Sequence, residues 1–514
     1  MKKFKKAVAL ICAALMLTSA VCVGAADADA SLDTGIDYTI SNPYKDVDWL
    51  NYKQYKADLH SHTTASDGSD TLKDMTEAHY AAGFDIVAVS DHGVTDYGWI
   101  EQNYTPALRF FIKAFKDGRG QYIEDLDYSG TAANGNTYKY EETKNGDYYT
   151  QYDANGNAGQ AMMRVPFANE HNPTSINNAH VNSWFVDWGD GRLGGTSDYI
   201  TPIKTIDEMG GGLTVINHPG EYTNARDEIY AADAYNIEDI AYNYKINKFA
   251  GLLTDYESCI GVDMNSKGDG RTRFDRKLWD ILLQRVVPTG RNVLGIATSD
   301  AHSTGVVYTG YTMMCMESNT VDNLYNCMKN GEFFAASKNL GNYEELKEIA
   351  DFLTKETDPE KKAMGEELTK IYKNIEVQNA NGEDGDGYEA PADVDAPTVN
   401  AVIVSDELDT ITLVTSADAL NIRWIADGEC IATGNTIDLD DYSDSIGSYV
   451  RAEIFGKGGI VYTQPFTLEY DGAPEAQDNS YIDLWFLASF IPDNIVRLVG
   501  MFPFFQQLLD LIGG

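Results

Sequence analysis

Residues 55–71 read YKADLHSHTTASDGSDT. Positions 55–59 read as a short buried strand, and where it ends it hands over His60, His62 and then Asp67. Residues 71–82 follow with Leu72, Met75, Ala78 and Ala82 on one helical face, Asp70 as the cap and Gly83 as the stop, so the stretch predicts a βα unit. The pattern recurs along the chain. Apolar runs at 86–89, 165–168, 213–216 and 293–297 read as buried strands just before His92, Glu170, His218 and Asp300. Parallel strands joined by helices, with functional groups at their carboxyl ends, describe an α/β barrel whose active site lies on that face.

The residues at those strand ends share one chemistry. Six of the 8 histidines fall into a single ordered series with acids: His60, His62, Asp67, His92, Glu170, His180, His218, Asp300 and His302. Imidazole is an ordinary core residue only when both ring nitrogens find partners, so spacings such as H-x-H, N-H-P and D-x-H in a histidine-poor chain point to metal ligation. His79, inside the first helix, and His171, beside Glu170, are read as structural. Neutral imidazoles mixed with carboxylates suit zinc, manganese or iron, and ligand type alone does not select among them. The chain has no G-x-S-x-G elbow and no Walker phosphate loop, so neither a serine nucleophile nor a nucleotide cradle of that kind is expected. Asp91, just before His92, is a candidate to orient it or a water on the metal. Arg271 and Arg273 follow a strand expected at 260–264 and are candidates for holding a substrate phosphate, with Asp263 and Asn265 at that strand's end.

The segments DLHSHTTASDGSDT, VAVSDHG, NEH followed by AHVNS, VINHPG and TSDAHS occur here in the order seen in the polymerase and histidinol phosphatase (PHP) family, which the chain resembles over roughly residues 50–340. The resemblance implies a distorted (β/α)7 barrel with two or three divalent metal ions that hydrolyses phosphoesters through a metal-activated water. Carried over by residue type, it implies one ion held by His60, His62, Glu170 and Asp300, a second by Glu170, His180 and His218, and a third by Asp67, His92 and His302. The substrates it implies are phosphomonoesters, nucleotides or oligonucleotide ends, including 5′ to 3′ exonuclease-like action. The chain is also similar to the carbaryl-hydrolase-like branch, so hydrolysis of non-phosphate esters or carbamates stays open. An inactive barrel serving as a binding scaffold is a third reading, and the full ligand series argues against it.

Between His92 and Glu170 the chain is longer than a typical family member. Asn134-Gly135, Asn145-Gly146 and Asn155-Gly156 suit tight hairpin turns, so about 118–163 is expected to be a β-hairpin insertion on the active-site rim. Asp153, Asn155 and Asn157 begin like a calcium loop, but the sixth position is not glycine and Arg164 stands where the closing glutamate belongs.

Composition frames the rest. Lys2, Lys3, Lys5 and Lys6 precede an apolar stretch at 7–23 and small residues at 23–25, so residues 1–25 are expected to be a secretory signal and the mature protein secreted or associated with the cell envelope. Losing those lysines takes the formal charge from −40 to −44, repulsive toward anionic membranes and nucleic-acid backbones. Of the six cysteines, the four beyond residues 1–25, Cys259, Cys315, Cys327 and Cys430, are too few and too dispersed for a disulfide scaffold. After a barrel at 45–340, the sequence suggests a helical appendage at 341–378, an acidic flexible linker at 379–397, a small immunoglobulin-like β-sandwich at 398–472 and an apolar amphipathic helical tail at 483–514. No run approaches the roughly 20 apolar residues that a bilayer span needs, so the tail is expected to dock on protein or contact a cell or membrane surface. The barrel is expected to hold every group needed for hydrolysis.

Overall fold

The computed structural model describes residues 35–96, 98–99, 128–171, 179–189, 198–222, 240–266, 272–340, 343–381 and 387–481. The expected signal at 1–25 and the apolar tail at 483–514 lie outside them. The chain divides into two units, Met1–Asp37 and Tyr38–Gly514, and the second holds all the elements named here. Among the described residues no helix is long and apolar enough to cross a membrane.

The second unit opens with β1 (Thr39–Ser41), β2 (Lys53–Asp58), α1 (Leu72–Ala81) and β3 (Ile86–Val87). The hydroxyl of Thr71, rather than Asp70, caps α1 by accepting from the Asp74 backbone N–H at 3.1 Å, and the helix is followed by Gly83 at φ +77°. Its buried face sets Met75 against Ala301 and Val307, beside the D-x-H segment. The meander expected from the Asn-Gly turns is present as β4 (Ser129–Thr131), β5 (Thr137–Thr143), β6 (Gly146–Tyr152) and β7 (Ala158–Arg164). Its last strand is not an appendage. β7 pairs in parallel with β3, Ile86 with Met163 and Val87 with Arg164, so the other three strands extend the central sheet outward. Residues 165–168, expected as a strand, form a turn. Pro166 lacks the ladder N–H, and Phe167 sits at φ +56°. The start of the calcium-like loop is a hairpin turn in which the Asp153 carboxylate accepts from Asn155 and Asn157.

A second sheet comprises β8 (Asn169–Glu170), β9 (Val181–Trp184), β10 (Leu213–Ile216), β11 (Cys259–Ser266) and β12 (Leu294–Thr298), ordered β12-β11-β10-β9-β8. Helices α2 (Ile200–Met209), α3 (Ile240–Asp255) and α4 (Thr272–Val286) accompany it. β10, β11 and β12 run parallel, whereas β8 to β9 and β9 to β10 are antiparallel. The two sheets touch through isolated parallel bridges, Ser61 with Ala301 and His92 with Glu170. The fold is therefore mixed α/β, but among the described residues the strands do not close into the distorted (β/α)7 barrel that the resemblance implies. Two causes are visible. β3 and β8 are only two residues long, and His218 and Asp300 adopt φ of +27° and +43°, leaving the extended conformation a ladder requires.

The remaining elements are β13 (Gly310–Met316), α5 (Val321–Asn330), β14 (Phe333–Ser337), β15 (Asn339–Leu340), α6 (Tyr343–Leu353), α7 (Pro359–Ala380) and β16 (Tyr388–Glu389). They are followed by β17 (Val399–Ser405), β18 (Thr410–Thr415), β19 (Ala419–Ala426), β20 (Glu429–Thr433), β21 (Thr436–Asp438), β22 (Tyr449–Gly456), β23 (Gly459–Tyr462) and β24 (Phe466–Glu469). Part of the stretch read as a linker is docked: β16 pairs with β15, and the Ala390 N–H donates to the Lys338 carbonyl at 2.7 Å. The all-β region places β17, β18 and β21 in one sheet and β19, β20 and β22 in another. The second of these is continuous with the central sheet. β23 pairs with β14 (Ala335 with Tyr462, Ala336 with Val461, Ser337 with Ile460), and β13 pairs with β2, the strand that delivers His60.

Apolar packing crosses the same junction. One buried cluster runs from Val181 and Trp279 through Leu346 and Leu368 to Tyr449 and Tyr462. Beside it lies a buried ion lattice. Arg276 donates to both Glu345 oxygens at 3.0 and 2.7 Å, and Arg451 grips both Asp280 oxygens at 2.8 and 2.7 Å. Glu453 accepts from Arg451 at 2.7 Å and Arg423 at 2.8 Å. Buried charges persist only when paired in this way. The structure thus joins the sheets that carry the His/Asp/Glu series, the helical pair and the all-β region, which composition alone separates.

Candidate metal centre

The nine residues of the His/Asp/Glu series meet in one place. His60 and His62 leave the end of β2 with Nε2 atoms 3.0 Å apart. Glu170 reaches in from β8. Its Oε2 lies 3.3 Å from His60 Nε2, 3.2 Å from His62 Nε2 and 3.0 Å from His92 Nδ1. Its Oε1 lies 2.8 Å from His180 Nδ1 and 3.4 Å from His218 Nε2. Asp300 Oδ1 stands 3.0 Å from His62 Nε2 and 3.4 Å from His60 Nε2, with Oδ2 3.6 Å from His218. Toward solvent, Asp67 faces His302 at 3.2 Å and His92 at 3.5 Å.

By distance these side chains form four overlapping groups able to hold an ion: His62-Asp67-His92-His302, His60-His62-Glu170, His60-His218-Asp300 and His92-Glu170-His180. Within each, the candidate ligand atoms lie within 4.8 Å of one another. This grouping differs from the one implied by family resemblance. His62 also joins the outer group, His218 turns to His60 and Asp300, and His92 approaches Glu170 and His180.

Hydrogen bonding does not account for the cluster. Glu170 Oε2 is buried and accepts no hydrogen bond, although three imidazole nitrogens surround it. Separations of 3.0–3.4 Å are what neighbouring ligands have when each binds one ion at about 2.0–2.2 Å. The donor set, imidazole nitrogen with carboxylate oxygen, fits a divalent cation.

Electrostatics point the same way. Burial would raise the Glu170 carboxyl, but His92, His60 and His180 around it hold it well below the usual range, and Asp67 is held down by His92 and His302 against its own burial. Burial lowers His92 and brings His180 down to about 4, leaving neutral rings with lone pairs to donate. For His60, burial is outweighed by Asp300 and Glu170, and its pKa rises to about 10; His62 rises for the same reason. The clustered carboxylates therefore favour positive charge at this centre. His218 and Asp300, both at positive φ, place unusual backbone geometry at this same centre.

Asp91 does not point at the cluster. Its Oδ1 accepts from the Thr63 backbone N–H at 2.8 Å and from Ser66 Oγ at 2.6 Å, and its Oδ2 accepts from Thr63 Oγ1 at 2.6 Å. It pins the 63–66 turn that delivers Asp67. Asp263 lies at the edge of the centre, with Oδ2 3.9 Å from His60 Nδ1. Asn265 instead accepts from Arg276 at 2.9 Å, behind the site. Arg271 lies outside the described residues, as does the side chain of Arg273. His171 lies against Ser183, 2.7 Å from its hydroxyl. Sequence reasoning missed Asn217, whose amide donates to Glu170 Oε1 at 2.9 Å; its place directly before His218 in N-H-P was the available signal.

No protein-family model matches the chain, and neither does any curated protein. Among solved structures it is similar to a two-domain protein from Bacteroides vulgatus containing a "predicted PHP-like metal-dependent phosphoesterase". That match has 12% identity and a TM-score of 0.31, covering 85% of this chain and 95% of that one. It is also similar to PsfC from Pseudomonas syringae, with 12% identity and a TM-score of 0.27 over 53% of this chain and 88% of that one.

Proposed function

We propose that this protein is a PHP-like metal-dependent phosphoesterase. The observation that carries the reading is Glu170 Oε2, a buried carboxylate oxygen with no hydrogen-bond donor at the convergence of His60, His62 and His92. Two or three divalent ions held by the nine residues, zinc, manganese or iron, would supply an activated water for in-line attack and stabilise charge on the phosphoryl oxygens. The chain's own residues hold the ligands in place: Asp91 fixes the loop of Asp67, and Asn217 fixes the Glu170 carboxylate. The outer group is open to solvent, with the side chain of His302 34% exposed and that of Asp67 25%, so substrate approaches from that side.

With a net charge of −40, a small phosphomonoester or nucleotide suits the chain better than a long polyanion. Exonuclease-like action on oligonucleotide ends is the lesser substrate option. Export through a cleaved signal at 1–25 belongs to the same proposal and rests on the lysines and apolar run of that segment.

The test is elemental analysis of gently purified protein, followed by assays of metal-loaded protein on aryl phosphomonoester, phosphodiester and carboxylic ester substrates. Two or three ions per chain with phosphoester turnover are expected. Metal content near zero that cannot be restored, or activity on the carboxylic ester alone, would overturn the reading.

A further inference from the structure

β2 and β12 come together at the centre without a backbone ladder. Their seam includes the Ser61–Ala301 bridge, the His62 N–H donating to the Ala301 carbonyl at 2.9 Å, the Ser69 N–H donating to the His302 carbonyl at 2.6 Å, and the side chain of Asp58. Asp58 is fully buried. Its Oδ1 accepts from the backbone N–H groups of His60 and Ser299, both at 3.2 Å, and its Oδ2 accepts from Ser299 Oγ. One carboxylate thus binds the segment that delivers His60 and His62 to the segment that delivers Asp300 and His302.

His79 anchors that carboxylate. It too is fully buried, on α1, with Nε2 2.9 Å from Asp58 Oδ2 and Nδ1 2.7 Å from the Met75 carbonyl. The ring thus ties Asp58 to the backbone of α1. A side chain at 79 that cannot hydrogen-bond would free the Asp58 carboxylate from α1 and leave a buried oxygen short of a partner, which structures relieve by rearranging.

We propose that His79, acting through Asp58, is a positioning residue that sets the spacing between the two ligand-bearing segments and so the affinity of the ion groups straddling the seam. This rests on the metal reading above. The groups His60-His218-Asp300 and His62-Asp67-His92-His302 span β2 and β12, whereas His60-His62-Glu170 and His92-Glu170-His180 take no ligand from the end of β12. Loss of His79 should therefore act selectively.

The experiment is Co(II) titration of the metal-free full-length chain, followed by visible absorption and by stoichiometry, for the wild type, His79→Gln and His79→Leu. Circular dichroism establishes that each variant is folded. Gln keeps a hydrogen-bonding amide at this position, so it serves if Leu prevents folding. The expected result is tight binding retained at the groups off the seam while those straddling it weaken about 10- to 100-fold, the range for loss of a residue supporting metal ligands. A folded variant that binds Co(II) like the wild type overturns the proposal, and so does a uniform loss at all sites, which is what general destabilisation gives. A wild-type chain that binds no Co(II) overturns the metal reading itself and this inference with it.

Discussion

Replacing Arg451 with Met tests whether the all-β region and the region of the candidate metal ligands form one cooperative structure. Arg451 is buried over the Trp279 ring at 4.9 Å and makes three charged hydrogen bonds, two to Asp280 and one to Glu453. Met approximates the aliphatic stem but donates nothing. Asp280 would keep only the Tyr449 hydroxyl at 2.7 Å, and Glu453 only Arg423. Removing one partner of a buried ion pair costs about 3–5 kcal/mol, because the surviving charge stays desolvated. Neutralising the principal orphan in the double variant Asp280→Asn/Arg451→Met should recover part of that loss. Urea unfolding, read by circular dichroism and by release of bound metal, is the assay. Because β23 is hydrogen-bonded to β14, and β13 to β2, both signals should move together to lower urea in one transition. A loss below about 1 kcal/mol, or metal release in a separate transition from that of the sandwich, would refute the reasoning.

Glu170→Gln should lose at least one equivalent of metal per chain and at least 100-fold in kcat/KM, about 2.7 kcal/mol of transition-state stabilisation, whereas Arg271→Ala should chiefly raise KM; elemental analysis with steady-state kinetics checks both. In the metal-free protein, His60 and His62 have folded-state pKa values raised above the ordinary 6.5, to about 10 for His60. Their contribution to stability is therefore complete below about pH 6.5 and lost as pH rises toward 10, so the thermal midpoint should fall over that window, and by less once divalent metal replaces the protons. A chain ending at residue 378 would strip β14 of its partner β23 and leave Asp280 without Arg451; solubility and circular dichroism should show it unfolded or aggregated, where a free-standing barrel would stay folded and keep its metal.

The helix after β2 was legible because four apolar residues repeat at helical spacing between a cap and a glycine, and the meander because three Asn-Gly pairs suit positive φ. The docked linker was not, since an acidic Gly- and Pro-containing stretch looks solvated until Tyr388 is seen paired with Leu340. The partners of Asp91 were not legible for a similar reason: adjacency to His92 says nothing about where a carboxylate points, and this one accepts from Thr63 and Ser66.

The candidate ligands were readable from sequence alone because imidazole and carboxylate side chains crowded at strand ends have few other uses in a chain so poor in histidine. Which of them come together was decided by tertiary structure, since His92 and Glu170 stand 78 positions apart yet meet across an isolated bridge. The same holds for the union of sandwich and central sheet and for the clasp of Asp58 by His79 and Ser299. Side-chain type and local periodicity are properties of short segments. Pairings between distant segments depend on which backbone edges and buried charges the folded chain leaves to be satisfied, and those exist only once it has folded.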